Sequence, residues 1–490
     1  MVHYRQNEEY MSEKDGLISR SEDYNEWYNS LVLKADLADY GPVRGTMIVK
    51  PYGWTLWENI QQALDTRFKA TGVENAAFPM FIPMSFLEKE AQHVEGFAPE
   101  LAVVTHGGGQ ELSEPLAVRP TSETMIGHAY ANWIQSYRDL PLLLNLWNSV
   151  VRWELRTKLF LRTTEFYWQE GHTAHATADE AAERTRLMLD VYDDMARREA
   201  AIPAFTGEKS ALERFAGAIH TYALEAMMGD GKALQSATSH NLGQNFSRAF
   251  DIQYLDPNNE RQYCWTTSWG LSTRFIGAII MTHGDDNGLV LPPRVAPYQT
   301  VIVPIYRKDE ERSEVMTAVT RIKQELTAAG VRVKVDDRPQ LTPGYKFNDW
   351  ELRGVPSRIE IGPRDIAKNS VALARRDVPG REGKQFVSQD GLAQTVVALL
   401  DEIQAGLLAK ATQFRDENTH DVANYADFKT AVSTGFARVW WAGDNAAELK
   451  VKEETKATIR CFPFDQPGGT GTCVYTGQPA DKVAIFGRSY

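Results

Sequence analysis

A proline-rich segment divides this chain of 490 residues into two parts with different sequence patterns. Residues 291–297 (LPPRVAP) contain three prolines, a density typical of an extended linker. Before this linker, residues 100–290 alternate strand-like and helix-like segments, and several strand-like segments are rich in Trp, Phe and Tyr. After it, short apolar runs alternate regularly with helical patterns, which predicts a sheet covered by helices. The length of the chain allows about three domains.

Apolar periodicity predicts individual elements on both sides of the linker. After it, strands are predicted over residues 300–305, 331–335, 358–361 and 371–374, with helices over 315–330, before Gly354 and over 391–408. Polar residues 410–420 predict a connection to a third unit that ends at Tyr490. In the first part, residues 54–72 predict a helix and residues 76–82 a strand. Because Pro79 cannot donate to a sheet ladder, this strand is expected at an edge or an interface.

Composition and charge exclude few classes of protein. The net charge of −12 is weak evidence against RNA binding, because RNA is held by local basic clefts and stacking surfaces. Three cysteines (Cys264, Cys461 and Cys473) are too few for a disulfide framework and fit a reducing cytoplasm. The apolar runs are far shorter than a membrane span, and residues 1–16 lack the apolar core of an export signal. We therefore expect a cytoplasmic protein without a membrane segment.

One segment that combines charged and aromatic side chains predicts a hairpin. Residues 150–156 (VVRWELR) and 160–170 (FLRTTEFYWQE) read as two strands joined by a short loop. On a strand, Arg152 and Glu154 would share one face. Arginines on a rigid sheet suit a triphosphate, because the guanidinium fork binds phosphate oxygens bidentately. An isolated Arg-x-Glu pair would instead favour a surface hairpin with salt bridges.

The hairpin segment resembles motif 2 of class II aminoacyl-tRNA synthetases, and it is similar above all to the prolyl-tRNA synthetases. Phe78-Pro79 resembles motif 1, whose strand helps to form the dimer interface in that class. Residues 269–277 (WGLSTRFIG) resemble motif 3, and residues 119–123 (RPTSE) resemble the class IIa element that places polar groups against the amino acid. With the linker and the later units, the resemblance to the short, archaeal- and eukaryotic-type prolyl-tRNA synthetases covers nearly the whole chain.

The resemblance implies a fold and a set of partners. Residues 1–290 would form an α+β catalytic domain on an antiparallel sheet, residues 298–408 an α/β anticodon-binding domain, and residues 411–490 a small α+β C-terminal module. The implied substrates are L-proline, ATP and tRNA(Pro), with Mg²⁺ as cofactor. The implied assembly is a homodimer in the cytoplasm, without contact to a membrane.

The family match also assigns site residues. Thr121 and Glu123 would accept hydrogen bonds from the secondary ammonium of proline, and Arg152 and His240 would contact the amino acid; for His240 alone, a structural role is the alternative. The ATP site would comprise Arg152, Glu154, Arg162, Thr163, Gln235, Thr238, Ser272 and Arg274. Arg152 would hold the α-phosphate and Arg162 and Arg274 the outer phosphates, with magnesium bridging phosphate oxygens. Residues 93–97 (HVEGF) match a loop that closes over the amino acid, and a turn around Gly96 is the alternative.

Two other patterns point less clearly to a site. Residues 170–175 (EGHTAH) could suggest a metal site, but they do not form H-E-x-x-H and no third ligand is evident, so we interpret both histidines as structural. Residues 107–109 (GGG) lack the following Lys-Ser/Thr of a phosphate loop, which favours a turn.

Residues 343–356 and 360–365 resemble the anticodon-binding domain of class IIa enzymes. An anticodon is single-stranded, so it is recognised by stacking and by hydrogen bonds to exposed base edges. Lys346, Phe347, Glu351 and Arg364 have suitable chemistry, with a place in the core or on the solvated surface as the alternative for each.

The third unit resembles a module that holds structural zinc in many short-form relatives, through cysteines spaced C-x4-C and C-x2-C. The matching positions here are Ala442, Ala447, Cys473 and Thr476, so three of the four ligands are missing. Because one thiolate cannot form a closed four-coordinate site, we expect no structural zinc. Cys461 is expected in the core, and Tyr490 is expected to pack back towards the catalytic domain as in the family. The apolar side chains expected to replace the metal are Trp440, Trp441, Phe462, Phe464 and Phe486.

Two alternative functions remain open at this point. Relatives specific for threonine, serine, glycine or histidine share the class motifs but lack the HVEGF segment and this form of motif 2. A paralogue that only binds RNA or a protein is the non-enzyme alternative, and the presence of Arg152, Arg162 and Arg274 argues against it. Known elements fill the chain between motifs 2 and 3, so we expect no editing domain in cis.

Overall fold

The computed structural model describes residues 16–91 and 101–490. The predicted closing loop at residues 93–97 lies outside this range, as do residues 1–15.

The first unit is built around a large antiparallel sheet. Its helices are α1 (Tyr24–Lys34), α2 (Pro51–Ala70), α3 (Met84–Ala91), α4 (Glu123–Trp133), α5 (Ala178–Arg198), α6 (Asn245–Phe250) and α7 (Arg274–His283). Its strands are β1 (Ala38–Tyr40), β2 (Met47–Val49), β3 (Glu74–Asn75), β4 (Phe81–Pro83), β5 (Val103–Gly107), β6 (Gln110–Val118), β7 (Leu142–Val151), β8 (Glu165–His175), β9 (Ala204–Glu208), β10 (His220–Met227), β11 (Ala233–Gly243), β12 (Gln253–Leu255), β13 (Arg261–Tyr263) and β14 (Trp265–Ser272). Strands β9, β10, β11, β14, β8 and β7 pair antiparallel in that order, and α5 packs against them. This arrangement confirms the predicted α+β unit on an antiparallel sheet.

Helix α2 follows the predicted apolar stripe. Trp57, Ile60, Leu64 and Phe68 recur every three or four residues, and all are buried. The helix begins earlier than predicted, at Pro51, because proline is well accommodated in the first turn, where its missing N–H is not needed.

The strand predicted over residues 76–82 is only partly correct. Residues 76–80 are irregular between β3 and β4, and β4 lies at the edge of a small sheet ordered β4-β6-β5. The edge position is the one expected for a strand next to Pro79. Arg119 holds the irregular part, since its guanidinium donates to the carbonyl of Phe78 and its backbone N–H to that of Met80, each at 2.9 Å.

The predicted hairpin forms, but its strands are displaced along the sequence. Strands β7 and β8 pair from Leu142 opposite Ala174 to Val151 opposite Glu165, so residues 152–164 form the connection. The prediction that Arg152 and Glu154 share a strand face is therefore wrong. The pairing of β7 with β8 ends at Val151, just before the charged residues begin, and hydrogen bonds outside this pairing hold the connection in place. The backbone N–H of Arg152 donates to the carbonyl of Thr164, and the N–H of Thr164 donates to that of Gly45, both at 2.8 Å.

The second unit is the predicted α/β domain. Its helices are α8 (Asp309–Ala328), α9 (Pro343–Leu352), α10 (Pro363–Ala367) and α11 (Leu392–Glu417). Its strands are β15 (Thr300–Pro304), β16 (Val333–Val335), β17 (Ser357–Ile361), β18 (Ser370–Arg375) and β19 (Lys384–Ser388). They form one sheet in the order β16-β15-β17-β18-β19, in which the first three strands are parallel and the pairs β17–β18 and β18–β19 are antiparallel.

Helix α11 is longer than the sequence predicted. The polar connection expected over residues 410–420 is helical as far as Glu417, so the expected domain boundary between residues 408 and 411 falls inside a helix. Leu407 and Ala411 are both buried, which shows that the apolar stripe continues past the predicted end. Within residues 16–91 and 101–490, α11 alone is long and apolar enough to cross a membrane, but nine of its residues are buried inside the protein.

The third unit extends the central sheet of the first. It contains α12 (Tyr425–Thr434) and α13 (Asn445–Thr455), with strands β20 (Thr419–Asp421), β21 (Phe436–Trp440), β22 (Thr458–Pro463), β23 (Gly471–Thr472), β24 (Pro479–Ala480) and β25 (Val483–Gly487). Strand β22 pairs antiparallel with β9, which joins β20, β21, β25 and β22 to the sheet of the first unit. The sheet order is β20-β21-β25-β22-β9-β10-β11-β14-β8-β7-β3.

The core of the third unit includes part of the expected aromatic set. Trp441 and Phe486 are buried together with Phe428, whereas Phe464 packs against the core of the first unit instead. Cys461 is fully buried in an apolar cluster, as expected. The hydroxyl of Tyr490 donates to Asp230 in the first unit at 2.7 Å, so the last residue does pack back as predicted.

Candidate active site

Strands β8, β10, β11 and β14 and the segment leading into α4 surround a cavity of about 220 Å³. The lining residues are Thr121, Glu123, Arg152, Trp168, Glu170, His172, Glu213, Phe215, Thr221, Gln235, Thr238, His240, Ser268, Trp269 and Gly270. Gly171 on β8 makes room for this wall, because a Cβ there would overlap the indole ring of Trp269. Antiparallel pairing of neighbouring strands thus brings together residues that are far apart in sequence.

Glu170 fixes the segment that leads into α4, where the predicted proline contacts Thr121 and Glu123 lie. Its carboxylate accepts hydrogen bonds from the backbone N–H of Ser122 at 3.1 Å, from the Ser122 hydroxyl and from the amide of Asn148 at 2.8 Å. Thr121 in turn donates to the carboxylate of Glu123, the first residue of α4. The polar side chains of the RPTSE element are therefore held in place from β7 and β8.

Glu170 also pairs with a histidine that the sequence analysis treated as merely structural. Nε2 of His172 lies 3.1 Å from the carboxylate of Glu170. Burial opposes the charged form of His172, but the hydrogen bond to Glu170 and the charges of Glu123 and Glu170 outweigh it and raise its pKa. Burial also opposes the ionised form of Glu170, but its hydrogen bonds and the charge of His172 hold its pKa below the usual range. Both shifts favour the charged forms of Glu170 and His172, which line the cavity side by side.

His240 has the opposite electrostatic environment. Burial and the neighbouring positive charge of His172 lower its pKa to about 3, so the imidazole is neutral at physiological pH. Its Nδ1 lies 3.0 Å from the hydroxyl of Thr221, and its ring stacks on Phe215 with centroids 4.6 Å apart. His240 therefore offers an uncharged aromatic surface and one polar edge to the cavity.

The side chains of Glu123, Glu170 and His172 are also close enough together to hold a metal ion. One ligand atom from each lies within 4.8 Å of the other two. The sequence analysis found no third ligand because Glu123 is distant in sequence and is brought close by α4. The carboxylate oxygens of Glu170 already accept hydrogen bonds from Ser122, Asn148 and His172, so the observed arrangement is a hydrogen-bond network.

Arg152 lies between the cavity and the 152–164 connection. Its Nε donates to the carbonyl of Pro120 at 3.0 Å, and its guanidinium lies 5.5 Å from the ring of Phe166 and 5.4 Å from that of Trp168. Burial lowers its pKa, although the charges of Glu123, Glu170 and Glu154 oppose this shift. Arg152 can thus face a ligand in the cavity and a ligand beside the connection.

Arg162 and Arg274 extend the positive region away from the cavity. Arg274 begins α7, and its Nε donates to the carbonyl of Leu161 at 2.9 Å. Burial and then the like charges of Arg162 and Arg152 lower its pKa to about 10. Arg162 is exposed, and only a loose contact of 3.8 Å joins it to Glu154. In the described residues, the loose contact with Glu154 is thus the only ion pair among these three arginines, an arrangement that suits a polyanion.

The predicted residues fall into two groups. Thr121, Glu123, Arg152, Gln235, Thr238 and His240 line the cavity. Glu154, Arg162, Thr163, Ser272 and Arg274 do not, and they lie on the connection or where β14 meets α7. In the second group, Thr163 donates to the carbonyl of Glu165, and Ser272 accepts from the backbone N–H of Arg274. Sequence reasoning did not assign Trp168, Glu170, His172, Glu213, Phe215 or Thr221 to the amino-acid site; the alternation of β8 could have indicated that Trp168, Glu170 and His172 share a face.

Known proteins share both the architecture and the sequence of this chain. Residues 104–283 match the tRNA synthetase class II core domain for Gly, His, Pro, Ser and Thr, residues 299–398 match an anticodon-binding domain, and residues 425–490 match the prolyl-tRNA synthetase C-terminal domain. A proline–tRNA ligase of Chloroflexus aurantiacus is 58% identical over 482 residues, which cover 97% of this chain and 100% of that protein. The chain belongs to the prolyl-tRNA synthetase family.

Further relatives come from distant organisms. The chloroplastic/mitochondrial proline–tRNA ligase of Arabidopsis thaliana is 59% identical over 475 residues, covering 96% of this chain and 88% of that protein. The proline–tRNA ligase of Porphyromonas gingivalis is 52% identical over 489 residues, covering 97% of this chain and 99% of that protein. The first unit is thus a class II synthetase core, and the second and third units are the anticodon-binding and C-terminal domains of the prolyl-tRNA synthetase family.

The anticodon-binding domain contains a second cavity, of about 160 Å³, lined in part by Glu351, Arg358 and Lys384. Arg358 lies 4.3 Å from the ring of Phe347, and the ammonium of Lys384 lies 6.0 Å from it. Arg358 and Lys384 also pair with Glu360, at 3.0 and 2.6 Å. Positive, aromatic and hydrogen-bonding groups are therefore clustered around the predicted residues Phe347 and Glu351.

The other two predicted anticodon residues lie elsewhere. Lys346 is buried, and its ammonium donates to the carbonyl of Asp336 at 3.1 Å. Lys346 therefore takes the core position that was its alternative, and its role as a base contact stays a prediction. Arg364 is exposed on α10 and does not line the cavity. Arg358 and Lys384 come from strands β17 and β19, and the motif-based reading did not select them.

The zinc-ligand positions of the C-terminal domain keep part of the local geometry that suits a thiolate. Sγ of Cys473 accepts the backbone N–H of Thr476 at 3.5 Å. Burial disfavours the thiolate, but hydrogen bonds from Thr476 and from the backbone N–H groups of Ala442 and Tyr475 outweigh it and lower the pKa of Cys473. Ala442, Ala447 and Thr476 contribute no sulfur ligand, so the residues present do not fit a structural zinc ion.

Proposed function

We propose that this family member activates L-proline with ATP and transfers the prolyl group to the 3′ end of tRNA(Pro). The observation that supports the proposal most strongly is the position of Arg152 between a small cavity and a group of arginines. On one side of it lies a small cavity lined by Thr121, Glu123 and His240, and on the other side Arg162 and Arg274 converge. An amino acid and a triphosphate placed on these two sides would meet at Arg152.

Proline suits the cavity chemically. Its secondary ammonium has two protons, and Thr121 and the carboxylate of Glu123 can accept them, the latter as a charge-assisted hydrogen bond. Trp168, Phe215 and neutral His240 supply flat surfaces for the pyrrolidine ring. The ion pair between Glu170 and His172 would orient the acceptors without providing another free charge.

The first step forms prolyl-adenylate. An oxygen of the proline carboxylate attacks the α-phosphorus, an O–P bond forms, the bond to the β-phosphate oxygen breaks, and pyrophosphate leaves with the electron pair. Arg152 would stabilise charge on the α-phosphate, while Arg162 and Arg274 would hold the outer phosphates. This is catalysis by positioning and by preorganised charge, and no covalent bond to the enzyme is needed.

Magnesium ions in such sites are held mainly by phosphate oxygens, with one or two protein carboxylates. Glu154 has suitable chemistry, because its only ion pair in the described chain is the loose contact with Arg162. A bound ion would neutralise part of the phosphate charge.

The second step transfers proline to tRNA. The terminal hydroxyl of the tRNA attacks the prolyl carbonyl carbon and forms a C–O bond, the bond from this carbon to the phosphate oxygen breaks, AMP leaves with the electron pair, and the hydroxyl proton is released. At the other end of the tRNA, the cavity near Phe347 would receive an anticodon base, with the ring and Arg358 for stacking and Glu351 and Lys384 for base edges. Arg364 stays a weaker candidate for the same RNA.

We further propose a cytoplasmic homodimer that lacks a cis-editing domain and structural zinc. Met80 and Phe81, next to the motif 1 proline, are 44% and 47% exposed, and apolar side chains at such positions favour burial against a second subunit.

The absence of a cis-editing domain is supported by the chain between β8 and β14, which forms α5, α6 and strands of the first unit. Any editing would then depend on another protein.

Amino-acid-dependent ATP–pyrophosphate exchange tests the function. We expect exchange with proline and none above background with threonine, serine, glycine or histidine. Exchange with one of those four instead of proline would identify a different synthetase. No exchange with any of the amino acids, in protein that binds tRNA, would support the non-catalytic paralogue.

A further inference from the structure

The C-terminal domain contacts the loop that forms one wall of the amino-acid cavity. Residues 209–219 join β9 to β10, and this wall loop contributes Glu213 and Phe215 to the cavity. Ser210 lies at its start and is buried, and its hydroxyl donates to the carboxylate of Glu448 at 2.8 Å. Glu448 is itself 4% exposed and lies in the first turn of α13.

Further hydrogen bonds connect Ser210 to the residues that line the cavity. The carbonyl of Ser210 accepts the backbone N–H of Glu213 at 3.1 Å. The N–H of Phe215 donates to the hydroxyl of Thr221 at 3.0 Å, the same hydroxyl that lies 3.0 Å from Nδ1 of His240. A displacement of Ser210 would therefore move the turn that places Phe215 against His240.

A second link runs between the same two elements. Lys452, one turn further along α13, approaches the carboxylate of Glu213 at 3.8 Å. Because both side chains are partly solvent-exposed, this pair contributes little on its own. The start of the wall loop is more firmly held, since the ammonium of Lys209 donates to the carbonyl of Arg460 on β22 at 3.0 Å.

We propose that α13 positions the amino-acid pocket, with Glu448 as the positioning residue that acts through Ser210 on the wall loop. The C-terminal domain would then set the affinity for the amino acid although none of its residues lines the cavity. ATP would be affected much less, because the arginines that face its phosphates lie on the 152–164 connection and on α7, and only Gln235 and Thr238 of its proposed contacts line the cavity. This inference rests on the proposed assignment of the cavity to proline.

The test measures KM values for proline and for ATP separately in the exchange assay, using full-length protein. For Glu448→Ala and Ser210→Ala we expect the proline KM to rise about three- to tenfold, the usual effect of losing one hydrogen bond to a buried group. The ATP KM should stay within about twofold of wild type, because binding energy is removed from one substrate only. Glu448→Gln keeps an acceptor for Ser210 and should restore most of the proline affinity.

A matched control and a double variant separate positioning from general loosening. Glu454 is also on α13, but it is exposed and pairs with Lys429 inside the C-terminal domain, so Glu454→Ala should leave both KM values unchanged. The double variant should be no worse than the more affected single variant, because both changes remove the same contact. If Glu448→Ala does not fold, Ser210→Ala and Glu448→Gln still give the answer.

Three results would overturn the inference: an unchanged proline KM in both alanine variants, equal rises in the proline and ATP KM values, or the same proline effect in Glu454→Ala. Wild-type protein without proline-dependent exchange would instead contradict the proposed function. The two failures are therefore distinguishable.

Discussion

Two groups of basic side chains in this protein differ in how their charge is balanced. Where β9 and β10 meet β22, Lys209 and Arg460 both pair with Glu225, at 3.1 and 3.0 Å, and all three side chains are buried. In the active site, Arg152 and Arg274 form no ion pair with a carboxylate in the part of the chain that the structure describes. A buried cation is tolerated when a carboxylate pairs with it. A buried cation without such a partner can instead bind an anionic ligand strongly.

The difference separates a structural cluster from a functional one. Glu225 joins the C-terminal domain to the catalytic sheet, and removing it would affect folding. Arg152 is proposed to bind a phosphate, and removing it should affect the reaction. The predictions below test this division, beginning with the largest expected effect.

Glu225→Ala should lower the free energy of unfolding by about 3–5 kcal/mol, because it leaves Lys209 and Arg460 buried without a counter-charge. Denaturant unfolding measures the change. The matched control is Asp421→Ala, which breaks the exposed pair with Arg438 and should cost about 0–1 kcal/mol. Equal losses in the two variants would mean that the buried cluster has no special structural role.

Arg152→Ala should lower the rate of proline-dependent adenylation by about 10²–10³-fold, the usual loss for one preorganised electrostatic contact. Stability should change less than in Glu225→Ala, since no ion pair is broken and the main loss is the hydrogen bond to the carbonyl of Pro120. Arg156, which is exposed on the same connection, provides the control: Arg156→Ala should exchange at close to the wild-type rate. Near wild-type exchange in the Arg152 variant would contradict its assignment.

Selectivity against smaller amino acids should be modest, because a smaller side chain loses packing against Trp168 and Phe215 but keeps the polar contacts of its ammonium and carboxylate groups. A missing methylene costs only ~1–3 kcal/mol of discrimination. We expect measurable charging of tRNA(Pro) with alanine or cysteine, without correction in cis. Rapid hydrolysis of alanyl-tRNA(Pro) by the purified enzyme would show that an editing activity is present.

The buried, neutral His283 predicts how stability depends on pH. Its Nε2 lies 2.9 Å from the carbonyl of Ala200, and burial lowers its pKa to about 4. Between about pH 6.5 and 4 the unfolded state therefore binds a proton that the folded state does not, so stability falls as the pH falls. His283→Gln should reduce the loss between pH 7 and 5 by about 1–2 kcal/mol, as measured by denaturant unfolding. An identical pH dependence in both proteins would contradict this.

Metal removal should have the smallest effect. Hydrogen bonds from the Thr476 side chain and from backbone N–H groups lower the pKa of Cys473, and Ala442, Ala447 and Thr476 provide no further sulfur ligand. Chelator treatment should leave the melting temperature unchanged, and protein purified without added metal should contain no zinc. One zinc per chain together with a chelator-induced decrease in melting temperature would show that the expectation is wrong.

Much of the fold could be predicted because it depends on local periodicity. Neighbouring residues alone indicate the buried face of α2, the alternation of strands and helices in the second unit, and the end of α8 near Gly330. Predictions failed where long-range contacts decide the backbone. Arg152 and Glu154 have a strand-like sequence, but the backbone of Arg152 bonds to Thr164, which in turn bonds to Gly45 between β1 and β2, and both residues lie in a connection.

In the candidate site, too, local sequence predicted some features and long-range contacts decided the others. Motif spacing was enough to select Thr121, Glu123, Arg152 and His240, all of which line one cavity. It could not assign Glu170 and His172 to that cavity, since their partners come from α4 and β7. Nor could it show that Lys346 faces the interior, because α9 contains apolar and polar residues at every turn.

By itself, then, the sequence determined the family and the order of the three domains, and it selected the residues proposed to face proline and ATP, because these depend on motifs and on periodicity along the chain. Only the tertiary structure decided which charges are paired. Glu225 neutralises Lys209 and Arg460, whereas Arg152, Arg162 and Arg274 converge without equal compensation. Charge compensation depends on distances of a few ångströms between residues that are far apart in sequence, and these distances exist only after the sheet has formed.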